Sequence, residues 1–264
     1  PADALMLRTL PPDGLENAAM TLLSDGSYPV ERLVERLLLA GYTRTSQVEG
    51  PGQFALRGGI LDVFSPLMEQ PVRCEFFDDE IDSMGTFDPG TQRRSANVET
   101  ALLLPAGEVL PRCAEGGMEG LGEKLLKLAD KLAQKQKTEQ IAIRLREDGE
   151  RIRNGADPGG MDRYLTLIHP EICCGVDYLP ADAVVFLCES GRVDERVKGT
   201  LLQLQQDTEV LMEAGLLAGE CAAVALSDAE LYARLEDFPV IMADSLPTSR
   251  HPLKPKGLLA VTAK

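Results

Sequence analysis

The chain lacks several residue types and motifs that mark common protein classes. It has no tryptophan and only two histidines among 264 residues. Its longest apolar runs, such as 37–40 and 101–104, are far shorter than the ~18 residues that a membrane-spanning helix needs. It contains neither a GxxxxGKS/T nor a GxGxxG phosphate-binding motif, and no GxSxG nucleophile motif. We therefore expect an interaction module, not a membrane protein and not an enzyme with a small-molecule substrate.

Cysteine is present, but in no pattern that binds a metal. No CxxC spacing occurs, and the adjacent Cys173 and Cys174 are poorly placed to share one ion with only His169 and His251. Scattered cysteines in a chain of this length are typical of reduced, buried thiols. No secretory leader is present and the first residue is not methionine. The sequence thus predicts a cytoplasmic fragment of a longer protein, without a structural metal or a cofactor.

Negative charge dominates, since 42 acidic residues against 27 basic ones give a net charge of −15. Duplex binding depends on Lys and Arg that neutralise phosphates, so we expect no broad binding of nucleic acid. One exception is a segment with lysines at helical spacing beside a leucine stripe, at Lys124, Lys127, Lys131 and Lys135. Either the helices of 124–153 form a DNA-binding module, or this is the solvated face of an amphipathic helix. We favour the second interpretation.

The length exceeds the ~100–150 residues of a single domain, which predicts two units. Residues 42–104 contain consecutive short strands, and a boundary falls near 105–107. Beyond this boundary the spacing of apolar residues changes from two to about 3.6, which predicts helices near 117–136 and 138–153.

The second unit alternates strands and helices. Ala183–Cys188 is a continuous apolar run, typical of a strand that is covered on both faces of a parallel sheet. Ser227 and Glu230 have the spacing of a capping box, and Leu226 with Leu231 form a hydrophobic staple around it. Strands are too few for a complete doubly wound sheet. The predicted class is α/β (α+β), a small mixed α/β domain followed by part of a second α/β domain.

The segment 52–82 predicts three short strands with an unusual distribution of side chains. Because side chains alternate between faces, Arg73 and Phe77 share one face of the third strand, and Arg57 lies opposite Phe54 in the first. One face is then packed, while the other carries two arginines and a phenylalanine without an evident need for burial. Arginine and aromatic residues are enriched at protein interfaces, so this face predicts a protein partner.

An acidic run, Asp78-Asp79-Glu80 with Asp82, follows the third strand. Such carboxylates suit Mg²⁺ in a metal-dependent hydrolase, but they are also common in exposed hairpin turns. We favour a turn between strands 72–77 and 81–87, and expect no metal site.

Part of the sequence matches a known family. The matching residues are Gly52-Gln53-Phe54, the runs 57–64 and 75–83, Phe87-Asp88 and Thr91-Gln92-Arg93. Over about residues 40–108 the chain resembles the UvrB-homology region of bacterial transcription-repair coupling factor (Mfd), and UvrB has a looser form of the same pattern. The C-terminal half is similar only in the order of its elements.

The resemblance implies that a RecA-like domain is interrupted by an inserted α/β domain that docks UvrA. Residues 1–14 would be the tail of the preceding RecA-like domain, and 15–107 the inserted UvrA-interaction domain. Residues 108–246 would be the remainder of the RecA-like domain, a partial α/β fold, and 247–264 a linker. The nucleotide-binding motifs of the ATP-dependent motor would lie outside this chain, which is then not an enzyme.

By the same resemblance, the UvrA-contacting residues are Arg57, Arg73 and Phe77, while Ala55 stands where UvrB tends to carry another arginine. The alternative for Arg73 and Phe77 is a cross-strand stack within the sheet. The implied function is to dock UvrA and so recruit nucleotide excision repair to stalled RNA polymerase. RNA polymerase and DNA would be contacted by other parts of the parent protein. The competing hypothesis is a DNA-binding module of a UvrB-like repair helicase.

Overall fold

The computed structural model describes residues 2–135, 137–246, 251–257 and 259. The described residues form two compact units, one within Leu10–Pro170 and the other within Pro1–Thr9 together with Glu171–Lys264. Helices and mixed sheets occur together, which confirms the predicted α/β class. The four-part division that the resemblance implies stays a prediction, and most of its linker, 247–264, lies outside the described residues.

Helices and strands are labelled here in chain order. They are α1 (Ala2–Met6), α2 (Pro12–Ala18), β1 (Met20–Leu23), α3 (Val30–Leu39), β2 (Thr43–Arg44), β3 (Gln53–Arg57), β4 (Ile60–Phe64), β5 (Val72–Phe77), β6 (Glu80–Phe87), β7 (Arg94–Asn97), β8 (Thr100–Leu103), α4 (Gly117–Ala133), α5 (Glu139–Arg153), α6 (Leu165–Ile168), β9 (Val185–Cys188), α7 (Ser190–Glu213), α8 (Asp228–Leu235) and β10 (Val240–Ala243). Within the described ranges, no helix combines the length and the apolar character that crossing a bilayer requires.

The Leu10–Pro170 unit contains a six-stranded sheet in the order β2-β3-β4-β5-β6-β7. Its neighbours are antiparallel except β2 and β3, which are parallel. Asp78 and Asp79 form the turn between β5 and β6, with Asp78 at φ +56°, so the predicted hairpin turn is confirmed. Next to this turn Glu75 pairs with Ser83 and Phe76 pairs with Ile81, which leaves Asp82 as a bulge in β6. Such a bulge increases the local twist of the hairpin.

Alternation along these strands builds the main core on one face of the sheet. Phe54, Leu61 and Cys74 point to this face and are fully buried. Helix α3 covers them with Leu33 and Leu37, which lie four residues apart and so share one side of the helix. Fully burying each such leucine stabilises the fold by about 1.5–3 kcal/mol. The separate antiparallel pair of β1 and β8 contributes to the same core.

Helices α4 and α5 form a close antiparallel hairpin. They meet at two glycines, and a Cβ on Gly122 would lie only 2.7 Å from the carbonyl oxygen of Gly149. Leu125 and Leu145 are buried, in agreement with the predicted amphipathic pattern. Both helices were expected from their spacing, and both are confirmed to within three residues of the predicted ends.

The other unit has its own core around the parallel pair of β9 and β10. Leu187 of β9 packs with Val197 of α7 and Leu235 of α8. The prediction that this strand is covered on both faces is wrong for the described residues, because Phe186 is 61% exposed and Ile241 is also exposed. Helices cover one face of this two-stranded sheet, and the apolar residues that alternate with the core residues remain on the other.

Candidate docking face

Phe77 is the most exposed residue of the predicted site. It ends β5 with 79% of its surface exposed, while the preceding Phe76 packs against the main core. Ile60, which opens β4 on the same face, is also exposed. Removing a phenylalanine side chain from water yields about 1.5–3 kcal/mol, and the fold of the described residues does not use this gain at Phe77. An exposed aromatic ring of this kind is suited to a pocket on a partner.

The two arginines of the site are joined by a carboxylate that the sequence analysis missed. Asp62 of β4 has no exposed side-chain surface and lies directly opposite Arg73 in the strand register. Arg73 donates to it twice, from Nε to Oδ1 at 2.7 Å and from Nη2 to Oδ2 at 2.8 Å. Arg57 donates from Nη2 to the same Oδ2 at 2.7 Å. Since Asp62 alternates with Leu61 and Val63, its place on the arginine face was readable from the sequence.

Arg73 is held on several sides. In addition to Asp62, it donates to the backbone carbonyl of Gln92 at 3.3 Å and to the Oε1 of that residue at 3.1 Å. Its guanidinium carbon lies 4.4 Å from the centre of the Phe87 ring. The hydrogen bonds to Asp62 raise the pKa of Arg73 above its ordinary value, so its charge is permanent. The stack considered for this residue therefore forms with Phe87, and Phe77 takes no part in it.

The arginine face is only partly open. Val48, Ala55, Phe64 and Phe87 form a small second core on this side of the sheet. The side chain of Arg73 is 17% exposed and that of Arg57 is 44% exposed. Ala55 is completely buried, so the position at which UvrB tends to carry arginine is not a surface position in this chain. The three predicted residues share one face, and the exposed part of it is the end with Arg57 and Phe77.

The geometry does not support the metal site or the DNA-binding lysine face that the sequence analysis considered. In the described part of the chain, no three His, Cys, Asp or Glu side chains are grouped to hold a metal ion, and the acidic run lies in the turn after β5. On the lysine face of α4, Lys124 pairs with Glu115 at 2.9 Å and Lys127 approaches Glu123 at 3.9 Å. Acidic side chains thus accompany these lysines, as expected of a solvated helix face.

Comparison with known proteins identifies the region that carries this face. Residues 20–108 match the UvrB interaction domain family, from the first residue of β1 to beyond the end of β8. The match includes the whole six-stranded sheet and every residue of the candidate site.

The longer similarity is to transcription-repair-coupling factors. That of Bacillus subtilis (strain 168) is 30% identical over 222 residues, which cover 81% of this chain and 18% of the relative. That of Staphylococcus aureus (strain MRSA252) is 28% identical over 219 residues, with the same two coverages. That of Myxococcus xanthus is 34% identical over 168 residues, or 61% of this chain and 13% of the relative. The chain spans less than one fifth of the length of these relatives. It is therefore homologous to a part of the transcription-repair-coupling factors, and its residues 20–108 match the UvrB interaction domain family.

Proposed function

We propose that this chain docks UvrA through the face that carries Arg57, Arg73 and Phe77. The observation that carries the proposal is the 79% exposure of Phe77, beside a partly exposed arginine, inside the region that matches the UvrB interaction domain family. The proposed docking recruits nucleotide excision repair to RNA polymerase that has stalled. This larger role rests on the similarity to proteins named transcription-repair-coupling factors.

We assign the three residues different parts in this docking. Phe77 is an apolar anchor for a pocket on UvrA, since buried aromatic side chains dominate the energy of many interfaces. Arg57 offers a guanidinium that is only partly engaged by Asp62 and suits a carboxylate on the partner. Arg73 donates to Asp62 in the sheet and to Gln92 in the connection before β7, so it mainly fixes these two residues.

The remaining functions belong to the rest of such a protein. We place the contacts to RNA polymerase and DNA, and the ATP-dependent motor, in the more than four fifths of the relatives' length that this chain does not span. The chain is then a non-catalytic recruitment module. Its cytoplasmic location stays a prediction from the cysteine pattern.

Binding of the 264-residue chain to purified UvrA, measured by titration calorimetry, tests the proposal. We expect Phe77→Ala to weaken binding on the order of 10–100-fold, which corresponds to about 1.4–2.8 kcal/mol. Arg57→Ala should weaken it as well, to a smaller extent. The matched control is Leu67→Ala, because Leu67 is 80% exposed but lies in the connection at the opposite end of β5. We expect that control to leave the affinity unchanged.

The result that would contradict the proposal is equally clear. If Phe77→Ala and Arg57→Ala both bind UvrA as tightly as the unchanged chain, and both melt at its temperature, this face is not the docking site. Arg73→Ala is a weaker test, because it removes a counter-ion of the buried Asp62 and perturbs the sheet itself.

A further inference from the structure

We propose that Arg94, at the start of β7, is a third arginine of this docking face and contacts the partner directly. The inference rests on the proposed function and adds a residue to it. The inference rests on where the Arg94 side chain lies in the fold. Strand β6 separates β7 from β5, which carries Arg73 and Phe77.

The side chain of Arg94 reaches back across β6 to the strand that carries Arg73 and Phe77. Its Nη1 donates to Ser83 Oγ at 2.9 Å and to Glu75 Oε1 at 3.3 Å. Glu75 lies between Arg73 and Phe77 in β5 and shares their face by alternation. The guanidinium of Arg94 is therefore on the docking face, bound to Glu75, which precedes Phe77 by two residues.

A glycine in β6 leaves room for the side chain of Arg94. Gly85 pairs directly with Arg73, and a Cβ on Gly85 would lie 2.5 Å from Nε and 3.0 Å from Cζ of Arg94. The arginine thus lies against the backbone of β6, where any other residue would place a side chain. The absence of a side chain at Gly85 thus lets Arg94 lie over the residue that pairs with Arg73.

The donors of Arg94 are less occupied than those of Arg73. A guanidinium has five N–H groups. Arg73 uses all three of its nitrogens in four hydrogen bonds, two to Asp62 in the sheet and two to Gln92 in the connection before β7. Within the described residues Arg94 donates from Nη1 alone, and its side chain is 32% exposed. Nε and Nη2 of Arg94 therefore remain for a carboxylate of the partner.

The charges on the face define the chemistry of that partner. Three arginines (57, 73 and 94) contribute +3, and three acids (Asp62, Glu75 and Glu80, which pairs directly with Phe77) contribute −3, so the face is neutral. The chain as a whole carries −15, so a neutral face with three arginines is less acidic than the rest of the protein. A UvrA surface that fits it has an apolar pocket for Phe77 flanked by acidic side chains for Arg57 and Arg94.

Charge reversal of Arg94 in the 264-residue chain tests the inference. We expect Arg94→Glu to weaken binding to purified UvrA about 10-fold or more, because it removes one ion pair and places an acid beside Glu75. The matched control is Arg93→Glu, which makes the same charge change at the adjacent exposed position, before β7 begins. We expect the control to change the affinity less than about 2-fold, as an exposed charge outside the contact should.

A second variant tests whether weaker binding by Arg94→Glu reflects a loss of folding. Arg94→Gln removes the charge but keeps an amide that can donate to Ser83 and Glu75. If Arg94→Glu melts at a lower temperature than the unchanged chain, Arg94→Gln decides instead, with an expected weakening of about 3-fold or more and a smaller dependence of the association rate on salt.

Two outcomes separate this inference from the proposed function. If Phe77→Ala and Arg57→Ala weaken binding while the Arg94 variants bind like Arg93→Glu, Arg94 is not part of the interface and the inference is overturned. If Phe77→Ala and Arg57→Ala also bind normally, the docking face itself is wrong, and the inference falls with it.

Discussion

At the scale of single residues, the site depends on Asp62. This carboxylate has no exposed side-chain surface, yet it accepts hydrogen bonds from arginines on both neighbouring strands. Alternation along the strands was sufficient to place Arg57 and Arg73 on one face. Alternation did not predict which of the two arginines is more exposed. The burial of Arg73 depends on Gln92 and Phe87, which approach it from elsewhere in the chain. Long-range neighbours of this kind leave no local pattern in the sequence.

Removing Asp62 should destabilise the chain strongly. Asp62→Ala leaves the partly buried Arg73 without its counter-ion, and breaking such a pair costs about 3 kcal/mol. Asp62→Asn should cost less, since its amide oxygen still accepts one hydrogen bond. Urea unfolding measures both changes.

The control for this prediction is Asp82→Ala, because Asp82 is an exposed acid at the bulge of β6. We expect it to change the free energy of unfolding by less than about 0.5 kcal/mol. If Asp62→Ala unfolds at the same urea concentration as Asp82→Ala, the ion pairs of Asp62 with Arg57 and Arg73 do not stabilise the sheet.

At the scale of elements, the start of α8 shows what a local signal can predict. Ser227 Oγ accepts from the backbone N–H of Glu230 at 3.3 Å, and the backbone N–H of Ser227 donates to Glu230 Oε2 at 2.8 Å. Leu226 and Leu231 on either side are buried, as a hydrophobic staple requires. All four residues lie within six positions, so the prediction from the sequence alone is confirmed in full.

Ser227→Ala should cost about 1 kcal/mol of unfolding free energy, because it leaves one N–H of the first turn without its acceptor.

The Glu230 half of the capping box should make the stability of the fold depend on pH. Hydrogen bonds from Ser227 hold the pKa of Glu230 below its ordinary value. A depressed carboxyl pKa stabilises the fold above the pKa of the unfolded state, and this stabilisation is lost as the pH falls through the lower pKa of the folded state.

Glu230→Gln should therefore be destabilising near neutral pH and nearly neutral in strongly acidic solution. Urea unfolding at pH 7 and near pH 3 checks this, with the exposed Glu195→Gln of α7 as the control. An equal effect of Glu230→Gln at both pH values would show that the carboxylate of the capping box adds nothing.

Other elements show where local signals stop. The apolar run that ends in β9 predicted a strand correctly, but the coverage of its two faces depends on which elements pack there, and Phe186 is exposed. Helix α2, residues 12–18, crosses the predicted end of the tail at residue 14, and the sequence analysis predicted no helix there. Strand β2 has two residues and pairs in parallel with β3, a pairing that no periodicity in so short a segment indicates.

At the scale of the whole molecule, charge decides between docking a protein and binding DNA. The net charge of −15 repels phosphates at long range, and only local clusters oppose it. The lysine face of α4 is one such cluster, but Glu115 and Glu123 lie within ion-pair distance of Lys124 and Lys127. The face with Arg57 and Arg94 has three arginines, but the acids Asp62, Glu75 and Glu80 balance them.

We therefore expect no shift of duplex DNA by the 264-residue chain in a gel mobility assay at about 0.15 M salt, where the Debye length is roughly 8 Å. Lowering the salt tests whether any residual shift is electrostatic. The informative variant replaces Lys124, Lys127, Lys131 and Lys135 by alanine. A shift at 0.15 M salt that disappears in this variant would support the DNA-binding module on α4 and α5. A chain that binds UvrA but leaves DNA unshifted fits a recruitment module. Such a module uses the arginine face of the sheet to bind UvrA and does not need the lysine face of the helix.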